Sequence, residues 1–319
     1  MSAKAPSSSA ASTPRPRGLI LTVTCPDKPG IVTRVTGLIA RLSYNIIESA
    51  QFGDSRSGRF FMRVLFVPAG GGGEGGAAVT TLEEGAKEKV VKAFQEELAG
   101  DLEAEFEIHD EAEKVRTLIM VSKIGHCIHD LLFRMTTKTL PIEIPLIISN
   151  HTDFEGLAKA HNIPFYYLPI KADEGKTKEW QEGEVIKLCK EHNIELVVLA
   201  RYMQILSENL CTTLNNLPQR TQIINIHHSM LPAFAGGYPY RQAFMRGTKL
   251  VGATAHFATA DLDEGPIIEQ DVERVDHTQS PLQLQQEGED VERRVLARAV
   301  KKYAQRRIFV NGNKTVVFS

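Results

Sequence analysis

Asn225 and His227 stand two residues apart at the end of an apolar, β-branched run, Ile223-Ile224-Asn225-Ile226-His227-His228. On an extended chain that spacing sends both side chains off one face. An amide and an imidazole aimed together from the end of a strand suit polarising a carbonyl and moving a proton. A carboxylate lies downstream in the turn Ala260-Asp261-Leu262-Asp263-Glu264-Gly265-Pro266, just before a second apolar run, Ile267-Ile268. Taken singly, each has a plainer reading. Asn and His near a strand end serve as loop hydrogen-bonders, and an acidic turn is commonly a solvated turn.

These residues have to be held by the elements around them. From about residue 116 onward, apolar strands alternate with helices: strands at 115–122, 144–149, 165–169 and 194–200, and helices at 125–135, 154–160 and 178–192. That alternation predicts a largely parallel sheet with helices on both faces. Ligands in such sheets lie beyond the carboxyl ends of the strands, where Asn225 and His227 fall. The helix at 293–303 mixes apolar and cationic residues and is expected to pack on this domain with its charges in water.

Upstream the order is different. A strand at 18–25 leads through Pro26-Asp27-Lys28-Pro29-Gly30 into a helix with Ile31, Val35, Leu38, Ile39 and Leu42 at helical spacing. A hairpin follows at 45–52 and 59–67. A second helix carries Val90, Val91, Phe94 and Leu98, with Thr81 and Glu84 spaced as a capping box, and a strand at 101–109 closes the unit. The order βαββαβ predicts a ferredoxin-like sandwich over 18–110. A linker at 111–115 then separates it from the α/β domain at 116–319. The run Gly70-Gly71-Gly72-Gly73-Glu74-Gly75 satisfies a dinucleotide-loop pattern, but a glycine tract satisfies almost any such pattern, so a flexible inserted loop is expected there.

Composition narrows the function classes. At 319 residues there is room for two domains, and 37 basic against 39 acidic residues leave a net charge of −2. That balance offers no electrostatic argument for nucleic acid or an anionic membrane, and no apolar run reaches spanning length. Cys25, Cys127, Cys189 and Cys211 are far apart in apolar segments, which predicts buried free thiols in a reducing compartment. Residues 1–17 are rich in Ser, Ala and Pro without acids, as in a disordered tail or part of a transit peptide. The location expected is cytoplasmic, or a mitochondrion or plastid if that tail is a targeting segment.

The stretch Asn225-Ile226-His227-His228-Ser229-Met230-Leu231-Pro232, with Gly252-Ala253-Thr254-Ala255-His256-Phe257 and Leu262-Asp263-Glu264-Gly265-Pro266-Ile267-Ile268, resembles the folate-dependent formyltransferase superfamily. Within it the chain is similar to the formyltetrahydrofolate deformylases from about residue 18 onward. The resemblance implies catalytic roles for Asn225, His227 and Asp263. It also implies a pterin pocket that includes Met203, Ile205, Leu206, His228 and Asp261. Without it, Met203, Ile205 and Leu206 read as core. Cys25-Pro26-Asp27-Lys28-Pro29-Gly30-Ile31-Val32 looks like the opening of an ACT domain, whose effector turn falls on Asp27, Pro29, Gly30 and Ile31; an ACT unit used only for dimerisation is the other reading.

The implied reaction is hydrolysis of 10-formyltetrahydrofolate to formate and tetrahydrofolate, which supplies formate for purine biosynthesis and balances the folate pool. The folate is the substrate, and no cofactor is expected. Glycine or methionine is the effector suggested, and a homo-oligomer the expected assembly. Two alternatives remain: a formyltransferase acting on an amine such as glycinamide ribonucleotide, and a silent amino-acid-sensing subunit. Val121-Ser122-Lys123-Ile124-Gly125-His126-Cys127 has no glycine cluster where the ribonucleotide transferases of the superfamily carry a phosphate loop, and His228 stands where they have Pro. Arg241, in Tyr238-Pro239-Tyr240-Arg241-Gln242-Ala243, departs from the deformylase pattern, which usually has His there. His126, Cys127 and His129 fall short of a closed zinc set, and no metal is expected.

Overall fold

The computed structural model describes residues 17–69, 82–232 and 239–319. The chain divides into two compact units between Ala112 and Glu113. In the first, β1 (Leu19–Pro26), α1 (Ile31–Arg41), β2 (Tyr44–Asp54), β3 (Arg59–Pro68), α2 (Ala86–Phe94), the short helix α3 (Gly100–Leu102) and β4 (Glu105–Asp110) follow in order. The four strands make an antiparallel sheet in the order β2-β3-β1-β4, the ferredoxin-like arrangement the sequence predicts. Leu19, Leu21 and Val23 leave one face of β1 and pack with Ile31, Val35, Leu38, Val90 and Phe94 in one core.

Three expectations for this unit need correction. The second helix starts at Ala86 behind Gly85 in a left-handed conformation (φ 78°), so Glu84 lies before the helix and forms no capping box; Thr81 and the glycine run lie outside the described residues. Asp101 and Leu102 belong to α3, because Glu103 turns left-handed (φ 52°) and only then does the chain extend into β4. Val115 belongs to the next strand, fully buried, rather than to a linker.

The second unit runs β5 (Val115–Val121), α4 (His126–Thr136), β6 (Ile142–Ser149), α5 (Glu155–Ala160), β7 (Phe165–Tyr167), α6 (Lys178–Glu191), β8 (Leu196–Leu199), α7 (Glu208–Asn215) and β9 (Gln222–His227). It continues with α8 (Pro239–Arg246), β10 (Leu250–Phe257), β11 (Ile267–Arg274), α9 (Pro281–Ala304) and the hairpin β12 (Ile308–Asn311) and β13 (Lys314–Val317). The seven-stranded sheet has the order β11-β10-β9-β8-β5-β6-β7. The pairs β9-β8, β8-β5, β5-β6 and β6-β7 are parallel, while β10 is antiparallel to β9 and β11.

Both faces of this sheet are covered, which is why its strands read as continuous apolar runs. Ile119 and Val121 of β5 face α4 and α9, whereas Leu118 and Met120 face α6 and α7. Side-chain caps start three helices: Thr177 accepts from the Trp180 N–H, Ser207 from Leu210, and Ser280 forms a reciprocal box with Gln283 before Pro281. Among the described residues no helix is long and apolar enough to cross a membrane. Cys25, Cys127 and Cys189 are buried and free as expected, but Cys211 is only partly covered, at the margin of the core beneath α6 and α7.

Candidate active site

At the carboxyl ends of β8 and β9 a cavity of about 260 Å³ opens. It is lined by Leu199 and 201–206, by 225–228, and by His256 with 258–263. Asn225 and His227 both line it, as their shared strand face requires, while Ile224 packs in the core and Ile226, also in that core, closes the cavity between them. The β10–β11 turn brings Asp263 over them: His227 Nδ1 lies 3.2 Å from Asp263 Oδ2. The three candidate catalytic residues therefore meet around one cavity.

The turn is built for this placement. Asp263 itself is left-handed (φ 60°), a conformation that costs free energy in any residue but Gly and is found at functional sites. Gly265 lets the backbone come against the end of β10, since a Cβ there would overlap the Phe257 carbonyl, and Phe257 N–H donates to the Pro266 carbonyl at 3.0 Å. The hydrogen bond from His227 holds the Asp263 carboxyl below its ordinary range against the opposing effect of burial, and the neighbouring imidazoles add to it.

His227 is 5% exposed, and its Nε2 has no hydrogen-bond partner among the described residues. With Nδ1 engaged by Asp263, Nε2 is the atom left to meet a ligand in the cavity. Asn225 is oriented by a residue that sequence reasoning did not assign to the site. His256 lies opposite Asn225 in the β9–β10 register, and Asn225 Nδ2 lies 3.2 Å from His256 Nε2. His256 Nδ1 faces the Phe257 carbonyl at 2.9 Å and must donate to it, so Nε2 must accept and the Asn225 nitrogen must donate. The second amide N–H of Asn225 is thereby directed by its neighbour. Burial pushes the His256 pKa down, in keeping with this neutral form.

The pocket residues also gather here. Met203, Ile205, Leu206, His228 and Asp261 all line the cavity. Met203 and Ile205 are 54% and 58% exposed, so the reading of them as core is overturned: they form an apolar wall open to solvent. Leu262, also exposed, joins them from the turn, a neighbour of Asp263 that the sequence did not single out. The wall is tied from behind. Ser122 accepts from the Met203 N–H at 3.0 Å, and Glu182 accepts from the Ser207 N–H at 2.9 Å. A flat apolar slot with a few fixed polar groups suits a pteridine ring.

His228 stacks on His227 with ring centroids 5.1 Å apart and planes 14° apart, and its Nδ1 meets an Arg201 guanidinium nitrogen. Burial, then the Arg201 charge, push the His228 pKa down to about 4. The unfolded chain takes up that proton near 6.5, so between about 6.5 and 4 the unfolded state binds more protons than the folded one. Stability is therefore full above that window and falls as the pH drops through it, by up to about 3 kcal/mol. Urea unfolding at pH 7 and pH 4.5 measures the decline, and His228→Asn makes it smaller.

Other candidates fall elsewhere. His126, Cys127 and Glu292 offer ligand atoms within 4.8 Å of one another, so the His126–Cys127 pair has a partner that the sequence missed, while His129 instead packs edge-on against Phe154. The Arg201 guanidinium, 3.4 Å from Glu292, supplies the positive charge for that carboxylate. Arg241 is exposed on α8. In the first unit, Asp27, Pro29 and Gly30 are exposed at the entry to α1 and the Asp27 carboxylate lies over Gly53. The Ile31 side chain is buried in the core, so only its backbone could meet an effector.

The comparisons with known proteins agree with this geometry. A formyl transferase family model matches residues 115–300 and an ACT domain model matches 19–84, ending before β4 completes the sheet. The formyltetrahydrofolate deformylase of Corynebacterium sp. (strain P-1) is 42% identical over 93% of this chain and 97% of its own. The crystal structure of the formyltetrahydrofolate deformylase from Burkholderia mallei superposes with a TM-score of 0.84 at 45% identity, over 95% of this chain and all of that one. Glycinamide ribonucleotide transformylase 1 from Symbiobacterium toebii matches 66% of this chain and 97% of its own, at 26% identity and a TM-score of 0.59. With an ACT domain followed by a formyl transferase domain, and with such identity along nearly its whole length, the chain belongs to the formyltetrahydrofolate deformylase family.

Proposed function

We propose that the chain is a hydrolase that converts 10-formyltetrahydrofolate to tetrahydrofolate and formate at the cavity beneath the β10–β11 turn. The observation that carries this reading is His227: one ring nitrogen on Asp263, the other buried without a partner among the described residues, and the Asn225 amide beside it.

With the pterin against Met203, Ile205 and Leu262, the formyl oxygen meets Asn225 Nδ2 and, in the imidazolium form, His227 Nε2–H. Asp263 gives Oδ2 to His227. Its Oδ1 lies 3.8 Å from His256 Nε2, too far for a hydrogen bond, and is left to accept from the attacking water. Attack forms the new C–O bond and moves the carbonyl pair onto the oxygen held by the two donors. One water proton passes through Asp263 to N10 as the C–N bond breaks, and the other leaves with formic acid and is lost to solvent. A carboxylate held below its usual range keeps no proton, so Asp263 is a transient carrier and a fixed negative charge for His227.

The ACT unit is proposed to take a small amino acid, glycine or methionine, at the turn 27–31, where the backbone N–H groups opening α1 favour a carboxylate. A homo-oligomer, a cytoplasmic location and a role in supplying formate for purine biosynthesis belong to the same reading. The test is a partition experiment. Purified protein given 10-formyltetrahydrofolate together with glycinamide ribonucleotide should release formate at an unchanged rate and leave the amine unformylated. Formylated amine as the main product would establish the transferase reading instead.

A further inference from the structure

Glu292 lies in α9, fully buried, and does not line the cavity. It is nevertheless the hub of a polar cluster that reaches His227. Oε2 accepts from His126 Nε2 at 2.8 Å and lies 3.4 Å from Arg201 Nε, while Oε1 accepts from the Tyr240 hydroxyl. Gly288, one turn earlier on α9, makes room for that tyrosine, since a Cβ there would overlap its ring. Arg201 follows β8 in a left-handed conformation (φ 61°), and its guanidinium meets His228 Nδ1. His228 then lies parallel to His227, which Asp263 holds from the other nitrogen.

The chemistry of this chain of groups is specific. A guanidinium only donates, so His228 Nδ1 must accept and the ring must be neutral with its proton on Nε2. A neutral ring stacked on His227 leaves His227 free to carry the positive charge that the oxyanion needs. Burial alone would push the Glu292 carboxyl up, but His126, Arg201 and Tyr240 together hold it below its ordinary range, as an anion. Apolar packing would stabilise the fold at least as well as a buried Arg–Glu pair. Departures of this kind concentrate at functional sites.

We propose that Glu292 is a positioning residue for the hydrolysis: by fixing Arg201 it holds His228 as a neutral plate against His227, so that the only cationic imidazole in the stack is the one facing the formyl oxygen. This rests on the oxyanion role given to His227 above. The groups facing His227 are Asn225 from its own strand, His256 from β10, Asp263 from the turn, and His228, with Arg201, Glu292, His126 and Tyr240 behind.

Glu292→Gln keeps the size of the side chain and removes its charge, leaving Arg201 uncompensated beside the histidines. The expected result is a kcat lower by about ten- to a hundredfold, the size typical of groups that orient a reacting residue from behind. KM for 10-formyltetrahydrofolate should be nearly unchanged. Glu292→Asp, which keeps the charge, should restore most of kcat. An unchanged kcat with only a lowered Tm, or a rise in KM alone, overturns the proposal. Nitrogen-15 histidine NMR on the unaltered protein gives a second reading that needs no variant. His228 should be the neutral Nε2–H tautomer at pH 6, and a protonated ring or the Nδ1–H tautomer overturns the proposal. Absence of formate release in the unaltered chain would sink the functional reading instead, and the tautomer would still decide whether the cluster holds His228 as described.

Discussion

Asp263→Asn lowers kcat for formate release by about 10³- to 10⁴-fold while folate affinity stays within a few fold, the magnitude seen when a His-orienting carboxylate becomes an amide. The loss has two sources in this geometry. The amide carries no charge, so the imidazolium form of His227 loses the anion 3.2 Å from its Nδ1. An amide also has no basic oxygen to take the proton of the attacking water and pass it to N10. The side chain keeps its shape, and the left-handed backbone at 263 is accessible to Asn, so the turn and the apolar wall beside it stay in place. Single-turnover formate release, with calorimetry of tetrahydrofolate binding, separates the chemical loss from any binding loss.

Asn225→Ala has the second largest effect. It removes one of the two donors proposed for the developing oxyanion, an expected cost of about 10² to 10³ in kcat. It also strips His256 Nε2 of its partner in a place only 2% exposed, which destabilises the fold by about 1–3 kcal/mol. The two consequences are distinguishable. Urea unfolding reports the second, and kcat measured well below the transition temperature reports the first. A variant less stable but fully active would remove Asn225 from the chemistry and leave it a structural partner of His256.

What was legible in the sequence follows from which signals are local. The parallel strands are buried on both faces and read directly as apolar runs such as 196–199, so they and helices α4, α5 and α6 are legible from alternation, whereas α7 and α8 are not, and α9 starts at Pro281 rather than at 293. Asn225 and His227 were recoverable because a period of two on a strand is a fixed geometric rule. Asp263 came through the family resemblance, since no spacing rule connects a turn to a strand 36 residues earlier. His256 was missed because its role exists only through the register that sets it across from Asn225. The signal for Glu292 was present: it falls on the apolar stripe of α9 with Leu284, Gly288, Val295 and Ala299, and a carboxylate at a core position needs partners. Those partners, Arg201 and His126, come from loop ends far away in the chain, and no periodicity reports them. The expected capping box at Thr81 and Glu84 failed for the opposite reason. The pattern was local and correct in form, but a left-handed Gly85 redirects the chain before the helix begins.

The proposed acceptor at the Asn225–His227–Asp263 site is water. The most direct test is a single-turnover reaction with protein in excess over 10-formyltetrahydrofolate and no amine present. The expected result is one formate and one tetrahydrofolate for each substrate molecule. Substrate that binds and remains formylated until an amine is added would contradict it.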